Sequence, residues 1–179
     1  MKKILVVVDM QNDFITGPLG TPEAVSIVDK VVEKIRGEEW DYLFVTKDTH
    51  DDYNYFDTQE GRKLPIEHCI RNSYGWRLQS AVHKAIKDSK ARTIQLYNKS
   101  TFGSVTLARN LRKDIEAEFT LVGVCTDICV ISNALLLKAY YPEMRIVVDA
   151  ACCAGSTPEK HRMALEVMKS CQVEVVNYI

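Results

Sequence analysis

The sequence predicts an α/β domain in three layers, a central parallel sheet of six strands flanked by helices. Three observations carry that prediction. Six short apolar runs recur along the chain, several continuously apolar rather than alternating, as strands covered on both faces require. Segments with helical spacing separate them. The chain of 179 residues also suits one domain, 1–179, with a substantial core. Its net charge of -1 provides no electrostatic footprint for nucleic acid or an anionic membrane surface.

The first strand is KILVVV from Lys3. It lies within MKKILVVVDMQNDF, whose apolar run ends at Asp9 with no small-residue cleavage site after it, so the stretch reads as a strand of a cytoplasmic protein rather than a targeting segment. In TPEAVSIVDKVVEKI, Thr21 is the expected N-cap and Pro22 the first helical position, with Val25, Val28, Val32 and Ile35 on one face. YLFVT from Tyr42 is the second strand. The segment from Lys47 to Ser73, at roughly 27 residues, is too long for an ordinary connection and reads as a functional loop. A helix near Gly75 to Asp88 precedes the strand TIQLY from Thr93, and a shorter one near Ser104 to Arg112 precedes FTLVG from Phe119. A helix over Asp127 to Tyr140 leads to MRIVV from Met144. TPEKHRMALEVMKS repeats the Thr-Pro device at Thr157 and Pro158, with Met163, Leu165, Val167 and Met168 along the helix, before the last strand, VEVV from Val173. Trp40 and Trp76 read as structural, and His83 and His161 as helix-surface residues. The six cysteines are expected as reduced thiols, because a chain with a proper core does not need disulfides.

In an open parallel sheet, ligands gather beyond the carboxyl ends of the strands. At those ends stand Asp9, then Lys47, Asp48 and His50, then Lys99, then GVCTDICVI with Cys125 and Cys129. A thiol near its reference pKa of about 8.5 is mostly protonated at neutral pH, yet the thiolate is the nucleophile. The sequence offers help. Cys129 lies at the expected start of the helix towards Tyr140, where the positive dipole end favours an anion, and Lys99 would stabilise a thiolate further. Asp9 would accept the thiol proton and hand it to a leaving amine, while N–H groups of Cys125 and Cys129 serve a tetrahedral oxyanion. This outlines acyl transfer through a thioester. A zinc or redox cysteine pair fits less well, since the two thiols are four apart rather than three and no second pair has ligand spacing. Cys152 and Cys153 read as packing, and Cys69 and Cys171 give no signal. In the long loop, Asp48 and His50 can point the same way along an extended segment, and His68 returns near its end. Imidazole and carboxylate suit a divalent ion of the zinc, manganese or iron type.

VVVDMQNDF, KSTFGSV and VGVCTDICVISNA, in this order and at these separations, resemble the three motifs of the isochorismatase-like cysteine hydrolases, the group that includes nicotinamidases. The resemblance covers essentially the whole chain. It implies an isochorismatase-like, Rossmann-like fold and a catalytic triad of Asp9, Lys99 and Cys129. It also implies a cis peptide from Val124 to Cys125 that turns backbone donors towards the oxyanion site. In the nicotinamidase-related subgroup it implies a divalent metal, zinc first, on Asp48, His50 and His68. Glu60 is the candidate for the variable ligand, in competition with Asp52, Asp57 and Glu67. Phe14 matches a position that packs against the substrate ring. LPIEHC departs from some nicotinamidases in lacking a tryptophan before His68, which leaves Tyr53, Tyr55, Phe56 and Phe102 as sources of aromatic surface. The implied activity is hydrolysis of nicotinamide to nicotinate and ammonia through a thioester on Cys129. Alternatives are hydrolysis of a carbamoyl or ureido amide, hydrolysis of the isochorismate vinyl ether, and a catalytically silent binding protein of the same fold. The expected partner is a small-molecule amide, and the family's habit implies a homo-oligomer.

Overall fold

The computed structural model describes residues 1–111 and 116–178. Strand β1, Lys2–Val8, occupies the middle of a six-stranded sheet because its run of aliphatic side chains is buried on both faces. Parallel to it lie β2, Tyr42–Asp48, on one side and β4, Ala117–Val124, on the other. With β3, Thr93–Lys99, β5, Arg145–Ala154, and β6, Glu174–Val176, the order is β3-β2-β1-β4-β5-β6, all neighbours parallel. The order reverses between β1 and β4, and a ligand crevice belongs at the carboxyl ends of those strands.

The period of two along each strand sends alternate side chains to opposite layers. One layer packs Ile4, Val6, Val8, Phe44, Phe119 and Leu121 under α6 (Val105–Ala108), α7 (Ile131–Tyr140) and α8 (Pro158–Ser170). The other packs Leu5, Val7, Leu43, Val45 and Val122 under α2 (Pro22–Ser26), α3 (Val28–Gly37) and α5 (Ser80–Lys87). Burying each of these aliphatic side chains is worth about 1.5–3 kcal/mol, so the sheet is the rigid part of the molecule. Two short helices, α1 (Asn12–Ile15) and α4 (Gln59–Lys63), stand at its carboxyl edge.

Several elements differ from the expectation in instructive ways. Thr21 does cap the second helix, accepting from Ala24 N at 3.0 Å, but the helix breaks at Ile27 into α2 and α3. The buried stripe nevertheless runs on through the break as Ala24, Ile27, Val28, Val31, Val32 and Ile35, so three of the four expected face residues are buried, while Val25 lies at the edge of the stripe and is 49 % exposed. In α8 the buried stripe is Ala164, Leu165 and Met168, which leaves Met163 and Val167 on its solvent side at 60 % and 49 % exposure. The helix expected from Gly75 starts only at Ser80, because Asp13 N donates to Gly75 O and Asn12 N to Arg77 O, holding that stretch as a turn. The helix expected to begin at Asp127 opens as one π-helical turn, Thr126–Val130, before α7. The long loop is partly ordered by a 3-10 turn, Tyr55–Asp57, and by α4. The end expected at Arg112 for the short helix lies outside the described residues.

Candidate active site

As β1 runs out, Asp9 turns into the left-handed region at φ 48°, a conformation that aspartate tolerates better than branched residues do. Its N–H donates to Thr46 O on β2 at 3.2 Å, and the turn swings the carboxylate across the end of the sheet. There Thr46 Oγ1 donates to Oδ1 at 2.6 Å, while Lys99 Nζ stands 2.6 Å from Oδ2. The contact at Oδ2 is ionic without hydrogen-bond alignment, which leaves a lone pair of that oxygen uncommitted. Lys99 is the last residue of β3, opposite Asp48 in register, and its Nζ reaches Cys129 Sγ at 3.6 Å and Asp48 Oδ1 at 3.8 Å. All three triad residues named by the sequence are therefore together and buried.

Cys129 arrives from the far side of the switch point. Gly123 at the end of β4 has φ 118° and lies so close to Val8 O that any Cβ would overlap it, which is why this position carries no side chain. The Val124–Cys125 peptide that follows is cis. The π-helical turn then closes with Val130 N donating to Cys125 O at 3.0 Å. Two side chains anchor the turn. Asn133 donates to Cys129 O at 2.8 Å and accepts from Ser104 N at 2.9 Å, while Asp127 accepts from both N and Oγ of Ser156 at 2.7 Å.

Burial, reinforced by the Asp9 carboxylate, pushes the Cys129 thiol well above its usual range, and Lys99 offsets this only in part. Lys99 does favour the thiolate, as expected, but burial and Asp9 outweigh it. Burial also raises the Asp9 carboxyl above the ordinary carboxylate value, against the pull of Lys99. Burial disfavours the Lys99 ammonium, but Asp9 first, with Cys129 and Asp48, together outweigh it and hold the group charged. A neutral thiol thus lies beside a carboxyl of raised proton affinity and a fixed cation. Burial pushes the Cys125 thiol to about 12, so that sulfur stays neutral.

The second constellation is built on Asp48. Gln11, fully buried, clamps its backbone: Oε1 accepts from Asp48 N at 2.7 Å and Nε2 donates to Asp48 O at 2.8 Å. His50 pairs with the returning loop, its N–H donating to Cys69 O at 3.0 Å and its carbonyl accepting from Arg71 N at 2.8 Å, which brings His68 beside it. Glu60 projects from α4, capped by Thr58. One ligand atom from each of Asp48, His50, Glu60 and His68 lies within 4.8 Å of all the others, and among the described residues Asp52, Asp57 and Glu67 are not part of such a cluster. Nε2 of His50 and of His68 stand 3.0 and 3.4 Å from Asp48 Oδ2, and 3.9 and 3.6 Å from Glu60 Oε1. Ligands about 2.0–2.2 Å from a tetrahedral ion stand about 3.3–3.6 Å apart, so these four fit a zinc-sized ion. His68 Nδ1 lies 2.9 Å from Ile66 O, an acceptor only, so it carries the proton and leaves Nε2 for the cluster. Without an ion, burial opposes a charged imidazole, but the Asp48 and Glu60 carboxylates outweigh it and hold His68 at about 10.

Both constellations open onto one cavity of about 480 Å³. Cys125, Cys129, Asp48, Glu60 and His68 form its reactive wall, with Phe14, Leu19, Leu64, Phe102 and Ile128 as apolar lining. A larger cavity of about 610 Å³ is lined by His50 and shares Glu60, Lys63 and Phe102 with the first, but it does not reach Cys129. Phe14 also packs against His68, ring centroids 5.6 Å apart. Of the four other aromatic candidates, Phe102 alone lines the cavity with the thiol; Tyr55 is buried behind His68, and Tyr53 and Phe56 face solvent. Lys47 points into the other layer, Nζ 2.8 Å from the Trp76 ring centroid. His161 is half-buried rather than a surface residue, Nδ1 2.8 Å from Thr126 Oγ1.

An isochorismatase domain model matches residues 3–178. The isochorismatase-family protein PncA of Bacillus subtilis (strain 168) is 30% identical over 92% of this chain and 93% of its own length. The crystal structure of nicotinamidase/pyrazinamidase PncA from Bacillus subtilis matches with a TM-score of 0.82, at 30% identity over 98% of this chain and 99% of that one. That of the pyrazinamidase of Pyrococcus horikoshii in complex with zinc matches with a TM-score of 0.74, at 26% identity over 99% and 100%. The sheet order, the strand-end constellation and a match along nearly the full chain agree: this chain belongs to the isochorismatase family.

Proposed function

We propose that the protein is a cysteine amidohydrolase that converts nicotinamide and water to nicotinate and ammonia. The observation that carries this reading is the buried array of Asp9 Oδ2, Lys99 Nζ and Cys129 Sγ, of which Cys129 lines a cavity shared with Phe14. The relatives named nicotinamidase support the choice of amide. In the first step Cys129 Sγ attacks the amide carbon while its proton passes to Asp9 Oδ2, so no free thiolate is required. Such positioned proton transfer contributes about 10²–10⁴-fold. The N–H groups of Cys125 and Cys129 receive the developing oxyanion. Asp9 returns the proton to nitrogen, ammonia leaves, and a water deprotonated by Asp9 then cleaves the thioester to nicotinate and the resting thiol. Lys99 stays charged throughout and holds Asp9 in place.

Asp48, His50, Glu60 and His68 would hold a divalent ion, zinc first, which when bound supplies a Lewis acid for a ring nitrogen or water. Phe14 and Phe102 would pack against the planar ring. In this reading the enzyme is a single-domain cytoplasmic protein that works as a homo-oligomer. No helix among the described residues is long and apolar enough to cross a membrane.

The test is ammonia release from nicotinamide by wild type beside Cys129→Ala, with metal content determined on the same samples. Activity in wild type that vanishes in the variant is expected. A folded, metal-loaded wild type that releases no ammonia removes nicotinamide as the substrate, and activity that persists in the variant removes the mechanism.

A further inference from the structure

We infer that Thr46 is a positioning residue: by occupying Oδ1 of Asp9, its hydroxyl leaves Oδ2 as the oxygen that exchanges a proton with Cys129. The inference rests on the proposed role of Asp9. Thr46 is a fully buried polar side chain near the end of an otherwise apolar strand run, and its hydroxyl donates to Oδ1 at 2.6 Å. Its carbonyl also accepts from Asp9 N at 3.2 Å, so both the backbone and the carboxylate of Asp9 hang from this one residue. A carboxylate is nearly two-fold symmetric about its last torsion, and a single donor on one oxygen removes that equivalence. Oδ2 is then left with the ionic contact to Lys99, whose Nζ lies 3.6 Å from Cys129 Sγ. Misplacement of a reacting group by about 1 Å can cost on the order of 10²-fold in rate.

The hydroxyl and the shape of Thr46 make opposite predictions, which gives the test its edge. Thr46→Val keeps the shape and loses the donor; Thr46→Ser keeps the donor and loses a methyl; Thr46→Ala loses both but leaves room for a water to reach Oδ1. Two readouts are taken on each folded variant: kcat and KM for nicotinamide, and the rate of iodoacetamide alkylation at Cys129 in the free protein, followed by peptide mass. The expected order in both is wild type close to Ser, then Ala, then Val. The loss in Val should be about 10–100-fold in kcat, with KM changed no more than about threefold. A Val variant at or above the Ser variant, or a loss confined to KM, overturns the inference. Should Val fail to fold, the Ser and Ala pair decides: equal losses in the two overturn it. A wild-type Cys129 that neither turns over nor alkylates faster than the other buried thiols overturns the parent reading and this one together. A reactive wild type with the order reversed overturns this one alone.

Discussion

Asp9 holds a difficult position, a carboxylate with no exposure paired to a lysine in the same low-dielectric pocket. Removing one partner of such a pair leaves a buried charge unbalanced and costs about 3–5 kcal/mol, whereas removing both costs far less. Lys99→Met is therefore expected to lower the urea midpoint sharply, and the Asp9→Asn, Lys99→Met double variant to recover most of the loss. A double-mutant cycle checks this, and additive losses would sink the ion pair as a structural coupling. The same environment sets a pH dependence. Burial raises the Asp9 carboxyl above the ordinary carboxylate value, and only the ionised form can take the Cys129 proton. The acid limb of kcat/KM should consequently fall at a pH above the usual carboxylate range, since it reports the free enzyme. For stability the sign is reversed: a raised carboxyl favours the fold at low pH and loses that contribution as pH climbs through the folded value. Measuring kcat/KM and melting midpoint across one pH series separates the two, and a limb at or below the usual carboxylate range would count against Asp9 as the base.

The elements bring these residues together by ending at the right places. β1, β2 and β3 deliver Asp9, Asp48 and Lys99 to one edge, and the π-helical turn after β4 delivers Cys129 to meet them. The strands were legible because their apolar runs are continuous, and the strand ends pointed to Asp9, Lys99 and Cys129 before any contact was known. Other parts were not. Thr46 looked like one more strand residue, and its only signal was a hydroxyl two positions before Asp48 on the same face. Gln11, Asn133 and Asp127 lie within the family's motifs, but the groups they hold, the Asp48 backbone, Cys129 O and Ser156, are distant in sequence or hidden in a turn. Val25 misled because it has the spacing of the stripe Ala24, Ile27, Val28, Val31, Val32 and Ile35 only at its edge, where the helix meets solvent. Asp127 offers a test at this scale. It ties the π-helical turn to the start of α8 by accepting from both N and Oγ of Ser156. Asn can accept from that N–H and donate to that hydroxyl, whereas Ala can do neither. Asp127→Asn should melt within about 0.5 kcal/mol of wild type, and Asp127→Ala should lose about 1–3 kcal/mol by urea unfolding. Equal losses in the two variants would show that the charge, not the pair of hydrogen bonds, holds the turn.

At the scale of the whole molecule, the sheet is rigid while the segment after β2 makes its own fold around His50, Tyr55, Glu60 and His68. That segment buries few aliphatic side chains, so an ion on Asp48, His50, Glu60 and His68 would tie residues from β2, α4 and the returning loop into one unit. An ion held at about 100 times its Kd adds about 2.7 kcal/mol to the fold. For a domain of this size that is worth roughly 5–10 °C in Tm. The loss on removal is not catastrophic, because the carboxylates hold His68 protonated at about 10 and the imidazolium replaces part of the missing charge. Adding a strong chelator to metal-loaded wild type at neutral pH should therefore lower Tm by roughly 5–10 °C while the sheet still unfolds cooperatively. Glu60→Gln removes one charged ligand and should shrink that shift, with protease cleavage between residues 50 and 67 appearing without chelator. A metal-loaded wild type whose Tm ignores the chelator, or a Glu60→Gln variant with the full wild-type shift, would mean that the four side chains are held together by their own hydrogen bonds rather than by an ion.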